Sequence, residues 1–272
     1  MTTSVATSTT RAQARRRPPR PADGRRRYAG LRRAVSPLLI LALWQAASSS
    51  GILSSETLAS PVAVLSSAYD LVADGTLPEA IWVSLQRVLY GFLIGATAGV
   101  GLALLAGLSR IGEDAIDPPL QMLRTLPHFG LIPLFILWMG IGETPKVTLI
   151  AMGVLFPLYV NTFAGINSVD RRLIEAARTF RLSRLSMIRN VILPGALPQA
   201  LTGLRLSLGI AWLSLIVAET LAADSGLGAM INDAREFLQT DVIVVGLLVY
   251  SMLGLATDAL VRLIERKALV WR

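Results

Sequence analysis

The run VLYGFLIGATAGVGLALLAGLS, residues 88–109, contains 22 consecutive residues without a charged side chain. A helix of about 20 apolar residues is long enough to cross the hydrocarbon core of a bilayer. Small residues occupy every fourth position of the run: Gly91, Gly95, Gly99, Ala103 and Gly107. Residues at this spacing share one helix face, and small side chains let a second backbone come close. The run therefore predicts a membrane-spanning helix packed tightly against another helix.

Apolar stretches of similar length recur along the chain. Of its 272 residues, 53% are hydrophobic and only 16% are charged. Soluble domains carry about a quarter charged residues, so the composition excludes an ordinary water-soluble enzyme. We predict an all-α, multi-pass protein embedded in the lipid bilayer. Six transmembrane helices are expected, at about residues 35–52, 87–108, 122–141, 147–169, 199–222 and 242–264.

Lysine and arginine are unevenly distributed between the loops. The segments 1–34, 109–124, 170–198 and 258–272 hold 22 of the 26 basic residues. Because basic loops stay in the cytoplasm, these segments and both termini are expected on the cytoplasmic side of the inner membrane. Residues 1–34 hold ten arginines and little apolar content, which predicts a disordered basic tail ahead of a transmembrane domain at 35–272. Few aromatic residues interleave these arginines, so no nucleic-acid partner is expected.

The segment DRRLIEAARTFRLSRLSMIRNVILPGALP, residues 170–198, is too polar to cross the membrane but keeps a helical pattern of apolar residues. We predict two short amphipathic helices with a break at Leu182 and with Ser183 capping the second helix. Pro194 and Pro198 are expected to end that helix. Such a helix pair forms a compact projection on the cytoplasmic face.

Within this segment, the run Glu175-Ala176-Ala177, followed by Leu193-Pro194, resembles the EAA loop of ABC importer permeases. The resemblance implies the type I ABC importer permease fold, with residues 170–198 as the coupling loop. Further stretches look like the aliphatic sulfonate permease branch of this family, and nitrate and taurine permeases share much of their pattern: residues 121–143, 191–220 and 232–250. The similarity extends over most of residues 35–272.

The resemblance also implies partners. A second permease copy, expected to be identical, completes the translocation path. Two ATP-binding cassette ATPase subunits bind ATP and Mg²⁺, and an extracytoplasmic substrate-binding protein delivers the substrate. The residues carried over as ATPase-coupling residues are Glu175, Ala176, Ala177, Arg178, Phe180, Arg181, Leu182, Ser183 and Leu185. The family usually has glycine where this chain has Arg181, so the turn there requires either a less strained geometry or a left-handed arginine.

Polar side chains within the predicted spans are candidates for the translocation path: His128, Asn161, Thr162, Arg205, Trp212 and Glu219. Polar and charged groups inside a span usually face protein or water. Structural alternatives remain open for each, because such groups also form hydrogen bonds between helices. Arg205 in addition is close enough to a span end to extend its charge to the interface.

Catalytic patterns are not found in the sequence. No GxxxxGK[ST] run occurs, since the lysines are Lys146 and Lys267, so ATP hydrolysis is expected on a separate subunit. With no cysteine and with His128 as the single histidine, we expect neither a metal site nor a cofactor in this chain.

The sequence thus predicts the permease subunit of an ATP-driven importer for aliphatic sulfonates. Nitrate, taurine or another small organic anion is the alternative substrate. Two alternatives of another class remain: a secondary transporter driven by an ion gradient, and a membrane scaffold whose basic tail binds lipid or RNA.

Overall fold

A computed structural model describes residues 24–54, 56–222 and 224–269, with 24–34 described by their backbone alone. All regular structure in these ranges is helical. The helices in chain order are α1 (Gly24–Ser49), α2 (Pro61–Ala73), α3 (Thr76–Gly107), α4 (Arg110–Leu123), α5 (Ile132–Met139), α6 (Glu143–Asn167), α7 (Arg171–Thr179), α8 (Arg184–Met187), α9 (Leu193–Ala222), α10 (Leu227–Glu236) and α11 (Thr240–Ala268). A 3₁₀ turn (His128–Leu131) precedes α5, and a π-helical turn (Ile188–Ile192) precedes α9.

Three long helices form the centre of the bundle. α6 packs along both α3 and α9, which touch each other much less. The small-residue face predicted on α3 is confirmed, since a Cβ atom at Gly95 would lie 2.3 Å from the Ala151 carbonyl oxygen. A Cβ atom at Gly99 would lie 2.7 Å from the carbonyl oxygen of Leu155. Only glycine fits at such distances, so this face sets the spacing between α3 and α6.

Within the described ranges, four helical segments are long and apolar enough to cross a membrane: Thr76–Gly107, Glu143–Asn167, Arg184–Ala222 and Thr240–Ala268. They contain most of the second, fourth, fifth and sixth predicted spans. The apolar part of α1, Val35–Ser49, is shorter than these. The multi-pass, all-helical character is confirmed, while the count of six spans and the position of the termini stay predictions.

The first helix begins before its predicted span. α1 starts at Gly24, inside the tail for which the sequence predicts disorder, and continues to Ser49. Arginine is a good helix former, and the helix meets no proline before Pro37, so the backbone can extend the span into the basic stretch. Residues 1–23 lie outside the described part of the chain.

The third predicted span, residues 122–141, is wrong as a continuous helix. α4 and the segment His128–Met139 meet at an angle of 82°, and together they have the length and composition of one broken span. Pro127 explains the break, because proline disfavours helical backbone in the residue before it and lacks an amide hydrogen of its own.

Residues 110–123, assigned by their flanking charges to a cytoplasmic loop, form α4. This helix packs on α3, and it contacts α6 through a hydrogen bond of 2.9 Å from the Tyr159 hydroxyl to the Asp117 carboxylate. The sequence did not predict this helix, because charge counts indicate the side of the membrane and not the local backbone. The side on which the segment lies stays a prediction.

The prolines expected to end the second cytoplasmic helix do not end it. α8, the π turn and α9 form one segment from Arg184 to Ala222. Pro194 lies directly after the first residue of α9, and Pro198 lies inside that helix. The wider π turn changes the hydrogen-bond register just before Pro194, so the backbone accommodates the missing proline amide without breaking the helix.

Candidate functional site

Residues 170–187 fold into a helix-turn-helix at one end of the bundle, which we name the polar knob. The Asp170 carboxylate caps α7 by accepting a hydrogen bond of 2.9 Å from the Arg172 amide. The Ser183 hydroxyl caps α8 by accepting one of 3.3 Å from the Ser186 amide. The predicted helix pair and the predicted Ser183 cap are confirmed, since each hydroxyl or carboxylate satisfies a free amide of a first turn.

The turn between the two helices depends on a left-handed residue. Arg181 has φ +52°. The Leu182 amide donates to the Ala177 carbonyl at 3.1 Å, and the Arg181 amide donates to the Arg178 carbonyl at 2.9 Å. These bonds close the end of α7 in a position that glycine normally occupies. A residue with a side chain in this left-handed conformation destabilises the fold by about 1–2 kcal/mol, so Arg181 places backbone strain in the polar knob.

The predicted coupling residues are contiguous in the polar knob. Ala177 is buried where α7 packs towards the π turn, and Leu182 is half-buried. Phe180 and Leu185 are 81% and 76% exposed. The remaining members are exposed as well, and all but Ala176 are polar or charged: Glu175, Ala176, Arg178, Arg181 and Ser183. Large apolar side chains exposed among charged ones are typical of a protein docking surface.

The polar knob is joined to the bundle by two direct links. α8 continues through the π turn into α9, so the second knob helix and a 30-residue helix form one segment. The Arg184 guanidinium also donates a hydrogen bond of 3.2 Å to the Leu108 carbonyl at the end of α3. A force applied to the knob therefore reaches two of the three central helices.

A cleft of about 320 Å³ lies between the α4–α5 break, α6 and α9. It brings together two of the predicted path residues, His128 and Asn161. The Asn161 side chain donates to the Pro157 carbonyl at 2.8 Å and accepts from Gln199 at 3.0 Å. Arg124, which the sequence reasoning did not select, also lines this cleft.

Three other predicted path residues point elsewhere. Trp212 donates to the Thr257 hydroxyl at 3.0 Å. Arg205 lies 2.5 Å from Glu265 and 3.5 Å from Asp258, so both Arg205 and Trp212 tie α9 to α11. Thr162 is buried, and its hydroxyl has no hydrogen-bond partner among the described residues. The structure does not bring these three side chains into the cleft.

Glu219, the last predicted path residue, lies fully buried in an ion network at the end of the bundle opposite the polar knob. Its carboxylate accepts hydrogen bonds from Ser84 at 2.7 Å, Tyr250 at 2.6 Å and Arg87 at 2.6 Å. The Gly228 amide adds a fourth bond of 2.9 Å. A buried carboxylate with this many donors fixes α3, α9, α10 and α11 to one another.

Arg87 is the centre of the same network. Besides Glu219 it binds Glu143 at the start of α6, with contacts of 2.5 and 2.7 Å, and the Ser225 carbonyl at 2.7 Å. Lys146 reaches Glu143 at 2.9 Å. Arg87 is the first residue of the second predicted span, but the sequence did not predict its partners. The sequence held a signal for this pairing, because Arg87, Glu143 and Glu219 all lie near predicted span ends on the side of the membrane opposite the polar knob.

These features define the class of protein. A helical bundle of apolar spans, a broken span that lines a cleft and a docking projection at one end together describe a multi-pass membrane transport protein. The chain belongs to the family described as binding-protein-dependent transport system inner membrane component, whose pattern matches residues 95–270. It is therefore an ABC transport permease of the inner membrane.

Similar proteins support this assignment over nearly the whole chain. A permease of Bacillus subtilis (strain 168), assigned by name to aliphatic sulfonates transport, is 45% identical over 97% of this chain and 94% of its own. A protein of the same name from Escherichia coli (strain K12) is 49% identical over 86% of this chain and 89% of its own length. A chain in the crystal structure of an amino acid ABC transporter with histidines has a TM-score of 0.61 at 20% identity. The structural match covers 73% of this chain and 97% of the transporter chain. This similarity shows that the present chain has the type I importer fold.

Proposed function

We propose that this chain is the permease subunit of an ATP-driven importer for aliphatic sulfonates. The observation that carries the proposal is the polar knob, which exposes Phe180 and Leu185 and continues into α9. Closure of an ATPase dimer below the membrane displaces this knob. Because the knob is continuous with a central helix, its displacement changes access to the path between the spans.

The inference that the substrate is a sulfonate comes from the relatives. Two permeases named for aliphatic sulfonates transport share 45% and 49% of their residues with this chain over most of its length. Taurine, nitrate and other small organic anions are the alternatives within the same mechanism.

The proposed assembly has two copies of this chain, two ATPase subunits that hold ATP and Mg²⁺, and an extracytoplasmic substrate-binding protein. We expect six spans with both termini and the polar knob in the cytoplasm, because residues 1–34, 170–187 and 258–272 together hold 19 of the 26 basic residues. The basic stretch 1–34 then lies beside the anionic lipids of the inner leaflet.

The ion-gradient alternative has less support. It requires an intramembrane acid that is free to change its partner, and Glu219 is held by Arg87, Ser84 and Tyr250. The scaffold alternative gives no account of the break between α4 and α5 or of the cleft beside it.

The test has two parts. Purification in mild detergent, followed by mass spectrometry, should recover an ATPase and a binding protein with the permease. The complex, reconstituted in liposomes, should hydrolyse ATP faster when the binding protein is loaded with ethanesulfonate, and should take up ethanesulfonate in preference to taurine or nitrate. Recovery of the permease without an ATPase, or uptake that follows an imposed ion gradient in the absence of ATP, would contradict the proposal.

A further inference from the structure

Arg124 lies at the break in the discontinuous span. It follows the last residue of α4, four residues before His128, where the two helical segments meet at 82°. The cleft at this break is lined by Gly153, Phe156 and Pro157, which occupy the middle of the 25-residue helix α6. Arg124, which is exposed in the single chain, therefore lies level with the middle of α6 rather than at an end of the bundle. In secondary transporters, discontinuous helices near the middle of the bilayer are where substrates and ions bind.

The charge of Arg124 is not neutralised within the described part of the chain. Its guanidinium has no carboxylate within 4.0 Å there and donates no side-chain hydrogen bond. The described residues that line the cleft include no acid. By contrast, Arg87 and Arg205 each contact two carboxylates. A charge at this depth is costly unless it faces water, protein of opposite charge or a ligand.

The rest of the cleft suits a small amphiphilic anion. Its walls are mostly apolar, and its volume of about 320 Å³ falls in the range of small-molecule sites. The apolar lining side chains are Phe156, Pro157, Val160, Leu206 and Ile210. Next to them, the Nε2 atom of His128 is buried without a hydrogen-bond partner among the described residues, which favours a polar ligand group nearby.

We propose that Arg124 anchors the anionic head of the substrate inside the membrane, with the aliphatic tail along the apolar wall of the cleft. The inference rests on the proposed function and adds the residue that recognises the charge. A sulfonate group matches this site because its oxygens accept several hydrogen bonds from one guanidinium, while a short alkyl chain requires only apolar contact.

The chain has no cysteine, which permits a charge-restoration experiment. The complete complex is prepared with Arg124→Cys, and ethanesulfonate uptake into liposomes is measured before and after thiol modification. Losing the charged contact should slow uptake at low substrate concentration about tenfold to hundredfold. Attachment of an aminoethyl group, which carries a positive charge, should restore much of the rate, whereas a neutral methyl group should not. Arg110→Cys, at the exposed start of α4, is the matched control and should remain near wild type with both reagents.

Each outcome separates the inference from the proposed function. If the wild-type complex does not transport sulfonates, the proposed function fails and the inference fails with it. If the wild type transports and Arg124→Cys transports equally well, only the inference is overturned. If Arg124→Cys loses uptake but the aminoethyl group does not restore it, Arg124 has a structural role. If the variant elutes as a dissociated complex, Arg124 instead stabilises the assembly. The last two results also overturn the inference.

Discussion

Replacing Arg87 by glutamine tests how the end of the bundle opposite the polar knob is held together. Arg87 is 2% exposed, and its guanidinium lies between the buried carboxylate of Glu219 and the more exposed carboxylate of Glu143. The substitution leaves Glu219 charged and buried, with only neutral donors around it. Removing one partner of a buried ion pair costs about 3–5 kcal/mol, because the remaining charge stays out of water without compensation.

The matched control is Arg205→Gln. Arg205 also contacts two carboxylates, but its side chain is 43% exposed, so its charges are screened and the loss should be about 1 kcal/mol or less. A third variant, Arg87→Gln combined with Glu219→Gln, removes both charges. Its loss of stability should be smaller than the sum of the losses measured for Arg87→Gln alone and Glu219→Gln alone, because no unpaired buried charge remains.

The assay is thermal unfolding of the purified complex in detergent, followed by the loss of the intact peak in size-exclusion chromatography. On the usual scale of about 2–4 °C per kcal/mol, Arg87→Gln should lower the midpoint by about 6–20 °C, and Arg205→Gln by only a few degrees. Equal midpoints for Arg87→Gln and Arg205→Gln would refute the reasoning, since burial would then not change the free energy that an ion pair contributes to stability. Strictly additive losses in the double variant would refute the coupling between Arg87 and Glu219.

Three further predictions concern the knob and the helix contact. Phe180→Ala should strongly reduce substrate-stimulated ATP hydrolysis without changing the unfolding midpoint. The control is Ile111→Ala, at a residue that is 82% exposed, and it should leave that activity intact. Equal effects of the two substitutions would show that Phe180 is not part of the docking surface. Gly95→Ala should prevent folding or assembly, because its Cβ atom would lie 2.3 Å from a carbonyl oxygen of α6, while Gly101→Ala, with open space around it, should assemble normally in the same chromatography. Arg181→Gly should raise the midpoint slightly with coupling retained, since glycine relieves about 1–2 kcal/mol of left-handed strain; a lower midpoint would mean that the arginine side chain stabilises the turn.

Local patterns in the sequence predicted the fold of the polar knob well. The helix pair at 171–187, the Ser183 cap and the non-glycine turn at Arg181 all follow from residues within a few positions of one another. Caps and turns are governed by the nearest backbone groups, so short-range chemistry is enough to predict them. Their roles in binding an ATPase stay predictions.

The path residues were harder to predict, because a polar side chain in a span has several possible partners. His128 and Asn161 line the cleft, whereas Arg205 and Trp212 contact α11 and Glu219 joins the ion network. The periodicity of one helix shows which residues share a face. It does not show which neighbouring helix that face meets, and the neighbour decides whether the face lines a path or a contact.

By itself, the sequence determined that this chain lives in a bilayer, where its glycine face lies and which segment projects as a polar knob. These are properties of single segments, because apolar length and side-chain size act within one helix. The tertiary structure alone decided that Arg87 binds Glu219, 132 positions away, and that α4 packs on α3 ahead of a bend of 82°. It also decided that one helix runs on through Pro194 and Pro198. Each of these depends on the packing of distant segments, where burial strengthens a charge pair and neighbouring helices support an irregular backbone.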